Sequence, residues 1–177
     1  MQFEGLKVAF LMLTIRQAGT ADIPLIHRLA WQVFPATYRG IISTEQSDYM
    51  MEWMYSPESL HKQMELEHHT FLLAYEDETP VGYVSVQPQG NSLWHLQKIY
   101  VLPSHQKGHV GRFLFEHAVD FARRLNGAPC RIELNVNRHN KAVDFYKHMG
   151  MRMVRTEDND IGLGFQMNDY VMAIDVE

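Results

Sequence analysis

The chain holds a single cysteine, Cys130, among its 177 residues. No intrachain disulfide can form, so a reducing compartment is the default expectation. Cys130 opens a predicted strand with no Cys–His pattern around it and reads as a buried structural thiol. Long apolar runs are also missing. The stretch Val8 to Leu13 is too short to span a bilayer. Met1 to Gly5 carries an acid and no base, unlike a secretory leader, so a cytoplasmic protein is expected. Basic charge is not in excess: 16 Lys and Arg stand against 21 Asp and Glu, a net charge of −5. That argues against nucleic acid and is compatible with a cationic substrate. No repeat, low-complexity tract or Pro/Gly/Ser-rich linker divides the chain. One domain over residues 1–177 is expected, with 1–10 as an extension. No metal site is expected either: His105 and His109 are separated by a glycine loop, and His68-His69 sit at a helix end.

What is present is the composition of a folded domain, 46 % apolar and 21 % charged. Leu11 to Gln17 reads as a strand. Thr20 can cap a helix carrying Ile26, Leu29, Ala30 and Val33 at helical spacing, which Pro35 is expected to break. Ser43 and Gln46 suggest a capping box for a helix through Tyr55, and Ser56-Pro57 starts another. Thr70–Tyr75 and Val81–Gln87 form a predicted hairpin, and Asn91-Ser92 turns into a third strand through Val101. A helix with the stripe Leu114, Ala118, Phe121, Ala122 and Leu125 follows, ended by Asn126-Gly127. Arg131–Val136 is a strand, and Asn140 begins a short helix stopped by Gly150. Two strands, about Arg152–Asp158 and Tyr170–Val176, flank a loop, 159–168, whose Gly162 and Gly164 suggest mobility. The pattern is a mixed α/β sheet with helices on its faces.

Two segments carry chemistry. Val101 to Gly111 joins a strand to a helix, and a helix N-terminus offers free amides and partial positive charge to a pyrophosphate. Glycines permit close approach, and Lys107 and Arg112 add positive charge. The spacing is neither a Walker loop nor a Rossmann fingerprint, and an ordinary glycine-containing loop reads equally well from this segment alone. The second segment is Leu134-Asn-Val-Asn-Arg-His-Asn140-Lys-Ala142-Val-Asp-Phe-Tyr146-Lys-His-Met-Gly150-Met151. From periodicity, Tyr146 reads as a core aromatic with Ala142 and Met149, and Asn140 as a helix N-cap.

Taken together, Leu96–Pro103, the Gln106–Gly111 loop and the Asn140…Ala142…Phe145-Tyr146…Gly150 segment resemble the signature of the GNAT acetyltransferase superfamily. The stretches Phe34–Tyr38 and Trp53–Pro57 are similar to bacterial members near the spermidine/spermine branch. The resemblance implies a seven-stranded mixed sheet flanked by helices, with a β-bulge on the fourth strand. It implies N-acetyl transfer from acetyl-CoA (coenzyme A) to a small-molecule amine, a polyamine first. Amino sugars, antibiotics or peptide amines are the next candidates, and a non-catalytic acyl-CoA-binding module is the reading of another class. Homodimers are common among such relatives.

The resemblance also implies residue roles. Ile99, Tyr100 and Val101 hold the pantetheine arm through backbone groups at the bulge. Gln106, Lys107, Gly108, His109, Val110, Gly111 and Arg112 take the pyrophosphate, and Asn140 contacts the cofactor. Tyr146 is the acid for the leaving thiolate, and Tyr38 belongs to the acceptor pocket. His95 matches a catalytic base that some members carry, and alternation groups it with Gln97, Ile99 and Val101 on one strand face. A strand-end histidine is the plain alternative, and Glu133 and Asp169 are other candidate bases. The loop departs from the family order, with Gly108 one place early and His109 where glycine is usual. Either the loop is rearranged or His109 adopts a backbone normally left to glycine.

Overall fold

The computed structural model describes residues 12–177; the extension over 1–10 and the expected strand start at Leu11 lie outside them. The elements are β1 (Leu13–Gln17), α1 (Ile23–Tyr38), α2 (Thr44–Tyr55), α3 (Pro57–Glu65), β2 (Thr70–Glu76), β3 (Thr79–Gly90), β4 (Leu93–Val101), α4 (Val110–Asn126), β5 (Cys130–Asn137), α5 (Ala142–His148), β6 (Arg152–Gly162) and β7 (Phe165–Val176). The seven strands form one sheet in the order β1-β2-β3-β4-β5-β7-β6. Every pair is antiparallel except β4 with β5. A parallel pair needs a crossover, which α4 supplies.

Each sheet face has its own apolar core. On one, Leu114, Ala118 and Ala122 of α4 pack on Val84, Trp94 and Leu134. On the other, Ile26, Phe34, Met51 and Leu60 of α1 to α3 pack on Phe71, Leu73 and Tyr83. Cys130 is buried in the first core, and burial raises its thiol pKa. The α4 stripe stops a turn short of expectation, because Leu125 is 64 % exposed. Gly127 ends that helix at φ +66°, a conformation that favours glycine. No helix among the described residues is long and apolar enough to cross a membrane.

The helix starts show local chemistry at work. Ser43 Oγ accepts from the Gln46 amide at 3.1 Å and Ser56 Oγ from the Ser59 amide at 3.3 Å. Gln46 completes no capping box, because its carboxamide reaches instead to the Gln166 carbonyl at 2.9 Å. Thr20 begins a short 3-10 turn rather than capping. The Asp22 carboxylate accepts the Gly19 amide at 2.9 Å and is clamped by Arg16 at 2.7 and 2.9 Å.

Pro35 does not break α1, which runs on to Tyr38. Val33, Phe34 and Tyr38 are all buried, so packing continues past the proline. The carbonyl deprived of a partner is that of Trp31, on the solvent side of the helix. The region expected as a loop over 159–168 is a hairpin as well. Asp158 pairs with Asn168 and Asp160 with Gln166, leaving a turn at Leu163-Gly164. The Tyr49 hydroxyl donates to the Ile161 carbonyl at 2.6 Å, so α2 pins the hairpin from below.

Gly82 marks the tightest approach inside the sheet. A Cβ there would lie 2.5 Å from the Tyr100 carbonyl oxygen, a backbone atom that cannot move without disturbing β4. Gly82→Ala is expected to destabilise the protein by about 2 kcal/mol, an overpacking cost. For this size of chain that lowers Tm by roughly 4–8 °C in a thermal melt.

Candidate active site

The β4–β5 ladder consists of Leu93, Trp94 and His95 against Arg131, Ile132 and Glu133, and goes no further. The cause is visible on the other edge of β4. Ser85 faces Lys98 while the next residue, Val86, faces Leu96, so Gln97 is an extra residue, a β-bulge. The bulge lies earlier than the Ile99–Val101 segment with which it was associated. Past it, Ile99, Tyr100 and Val101 pair only with β3, so their other backbone edge is unpaired toward β5. The two strands part there around a cleft of about 920 Å³, lined by Ile99, Tyr100 and Val101 on one side and Leu134, Asn135 and Val136 on the other.

One end of the cleft is the N-terminus of α4. Gln106, Gly108, His109, Gly111 and Arg112 line it. Amides of the first turn, Val110 to Arg112, have no acceptor within the helix and face the incoming loop. His109 has φ −89°, an ordinary value, so the displaced glycine creates no backbone strain. Neither Gly108 nor Gly111 needs a left-handed conformation. What they lack is a side chain, and that leaves the backbone open to a bulky anion. The Val110 side chain is buried in the core, and Lys107 is exposed beside the cleft rather than lining it. Gln106 is held by a bond from its carboxamide to the Val101 carbonyl at 3.1 Å.

The middle of the cleft carries Tyr38, Asn140 and Tyr146. Asn140 Oδ1 accepts the Ala142 amide at 2.9 Å, so it caps the turn into α5 while standing on the cleft wall. Tyr146 is buried, and burial first and the neighbouring Tyr38 second push its pKa well above the ordinary phenol value. Tyr38 is pushed up to about 12, by burial and then by the Asp169 carboxylate. Both hydroxyls therefore keep their protons across the physiological range and are available as donors.

These features, a parallel pair opened by a bulge over a helix N-terminus with a phenol between, agree with the comparisons to known proteins. Residues 26–151 match the Acetyltransferase (GNAT) family. The chain belongs to this family. It is an N-acetyltransferase that uses acetyl-CoA. The acetyltransferase is 25 % identical over 151 residues to spermidine N(1)-acetyltransferase of Thermoplasma acidophilum, covering 82 % of this chain and 92 % of that one. It is 34 % identical over 89 residues to the peptidyl-lysine N-acetyltransferase YjaB of Escherichia coli, covering 49 % of this chain and 52 % of that one. Among solved structures, the PaiA N-acetyltransferase of Thermoplasma acidophilum in complex with coenzyme A has the same fold. The TM-score is 0.76 at 24 % identity, over 92 % of this chain and 98 % of that one.

The acetyltransferase does not place His95 with Ile99 and Val101. The extra residue at Gln97 inverts the alternation: Trp94 and Leu96 face the α4 core before it, and Ile99 and Val101 face that core after it. His95 is thereby on the opposite sheet face and outside the cleft lining. Its Nε2 lies 3.1 Å from Asn135 Oδ1. The Asn135 amide nitrogen is committed to Glu157 at 3.0 Å and Asp169 at 3.4 Å. That orientation leaves Oδ1 to accept, so His95 Nε2 carries the proton and Nδ1, buried without a partner among the described residues, the lone pair. Burial depresses the His95 pKa and keeps the ring neutral. Of the other candidate bases, Glu133 is tied to Arg155 at 2.8 Å, and Asp169 is buried with a raised pKa.

Sequence reasoning missed Lys98, which the bulge turns inward. Its Nζ donates to Gln63 Oε1 at 2.7 Å and lies 5.7 Å from the ring centres of Tyr55 and Phe71. A lysine inside the apolar strand Leu96–Val101 was the available signal. Burial brings its pKa down from 10.5 to about 7, opposed by Glu67. In the unfolded chain the amine stays protonated up to about its ordinary pKa. Between those values the unfolded state binds the extra proton, so stability rises with pH through that window and the full penalty applies below it. Lys98→Met is expected to raise Tm at pH 6, with the gain shrinking as the pH approaches 10, as read by thermal melts across a pH series.

Proposed function

We propose that this acetyltransferase acetylates a primary amine of a polyamine such as spermidine, by direct transfer from acetyl-CoA. The observation that carries the reading is the polar sheet face beside the cleft. There Asn135 joins the carboxylates of Glu157 and Asp169 next to Tyr38, where a polycation would be held. The likeness to a spermidine acetyltransferase over 92 % of that protein's length supports the same class.

The acyl donor brings a thioester and a polyanionic tail. First-turn amides of α4 and the Arg112 guanidinium suit the pyrophosphate, with Lys107 adding charge from the rim. The unpaired edge of Ile99, Tyr100 and Val101 offers backbone groups to the extended arm and a donor for the thioester oxygen as it gains negative charge. Asn140 fixes the start of α5 and so the position of Tyr146. As the amine nitrogen forms its bond to the acyl carbon, the carbon–sulfur bond breaks, and the Tyr146 hydroxyl donates to the leaving thiolate. Its raised pKa suits a group that must arrive protonated. Tyr38, packed at 4.5 Å on Phe34, bounds the acceptor side.

Thiol release from acetyl-CoA with spermidine, amino sugars and short peptides as acceptors tests the class directly. Release with polyamines is expected; release confined to sugars or peptides overturns the acceptor assignment. Binding of acetyl-CoA without release from any amine favours a binding module. Tyr146→Phe is expected to lower kcat about 100-fold while the Kd for acetyl-CoA stays within twofold, by single-turnover kinetics and titration. An unchanged kcat removes Tyr146 from proton transfer.

A further inference from the structure

Asp169 stands out among the groups near the cleft. It sits on β7, opposite Asn137 of β5, and is only 6 % exposed. Its Oδ2 takes one long bond from Asn135 at 3.4 Å, while Oδ1 is buried and has no hydrogen-bond partner among the described residues. A buried carboxylate oxygen left unpaired is costly, and native proteins keep such groups where a ligand or a reaction uses them. The odd-numbered residues of β7 face away from the α4 core, which takes Tyr170 and Met172. Asp169 therefore shares the acceptor face with Asn135, a cleft-lining residue, and is close enough to Tyr38 to raise that phenol's pKa.

The other acids of this face are already engaged. Glu133 and Glu157 each bond Arg155 at 2.8 Å, and on the opposite face Asp158 bonds Arg138 at 2.7 Å. His95 spends Nε2 on Asn135, and burial holds its pKa down, which weakens it as a base. Among the described residues, Asp169 is left as the acid of this face with an unpaired oxygen, set just behind the cleft lining and near Tyr38.

We infer that Asp169 is the proton acceptor of the reaction, receiving the acceptor amine between its Oδ1 and Tyr38. The inference rests on the acetyl-transfer reading above. The amine arrives as an ammonium, whose charge the carboxylate balances. One N–H proton passes to Oδ1, and the freed nitrogen pair bonds to the acyl carbon. The carbon–sulfur bond breaks, the thiolate takes its proton from Tyr146, and the second proton shed by the acylated nitrogen restores the Tyr146 hydroxyl. The proton on Asp169 returns to solvent between turnovers. The groups that tune it are Glu157 and Asp158 on β6, which raise its pKa, and Arg138 after β5 and Asn135 on β5, which lower it; burial raises it most. The raised pKa makes the carboxylate a stronger base than an exposed one.

The experiment compares wild type with Asp169→Asn, using spermidine and acetyl-CoA from about pH 4 to 10. Asparagine keeps shape and hydrogen bonding but accepts no proton. Wild-type kcat is expected to be flat above a limb in the acidic range. The variant should lose about 100-fold at pH 7, bind acetyl-CoA normally, and recover about tenfold per pH unit as free amine replaces ammonium. A structural role would give no such recovery. A second variant, Asn135→Leu, removes the bond that lowers the Asp169 pKa and should move the wild-type limb to higher pH. This keeps the test open if Asp169→Asn fails to fold. An Asp169→Asn profile parallel to wild type, or an unmoved limb in Asn135→Leu, overturns the inference alone. No thiol release by the wild type with any amine overturns the acetyl-transfer reading, and the inference with it.

Discussion

Everything in the cleft depends on the β4–β5 ladder stopping after His95. A parallel pair carried to the ends of both strands would consume the backbone edge of Ile99 to Val101 and close the gap that Asn135 and Val136 now face across. One surplus residue, Gln97, sets the divergence, and the same residue inverts the strand's faces. The surplus residue thus selects two outcomes together: which backbone groups are free for a ligand, and which side chains, Lys98 and Tyr100, point into the helical layer of α1 to α3. The α4 crossover completes the arrangement by bringing a helix N-terminus to the wide end of the opening.

The acceptor side is built on a different principle. Tyr38, Tyr55, Tyr83 and Tyr100 are buried together, with ring centres of Tyr55 and Tyr83 at 6.1 and 5.7 Å from Tyr100. Their phenols stay protonated because burial disfavours the anion. Lys98 borders this aromatic group with a single carboxamide and two ring faces as partners. The carboxylates of Glu157 and Asp169 lie on the other side, on β6 and β7.

Much of this architecture was legible in the chain. Helix starts at Ser43 and Ser56, the end at Gly127, and the hairpin and turn before β4 follow from local chemistry that tertiary packing did not override. The family signature pointed to the Gln106–Gly111 loop and to Tyr146, and residues of both line the cleft. What stayed hidden has physical reasons. A bulge at glutamine carries no glycine or proline mark, so strict alternation assigned His95 to the wrong face and overlooked Lys98. Pro35 breaks helices by removing one bond, yet burial of Phe34 and Tyr38 outweighs that loss. Gly162 and Gly164 suggested a mobile loop, but Gln46 and Tyr49, remote in sequence, bind the hairpin into α2. The free oxygen of Asp169 is a property of its neighbours, each already satisfied elsewhere, and no local pattern records it.

The burial of Cys130 has a practical side. It is the chain's one sulfhydryl, 6 % exposed and held away from the thiolate form by its apolar surroundings. Thiolate-seeking reagents meet almost nothing on the folded protein. Coenzyme A set free during turnover is then the one fast-reacting sulfur in the solution. Colour from a thiol dye counts catalytic events, and a slow late rise in that colour reports the core around Cys130 coming apart.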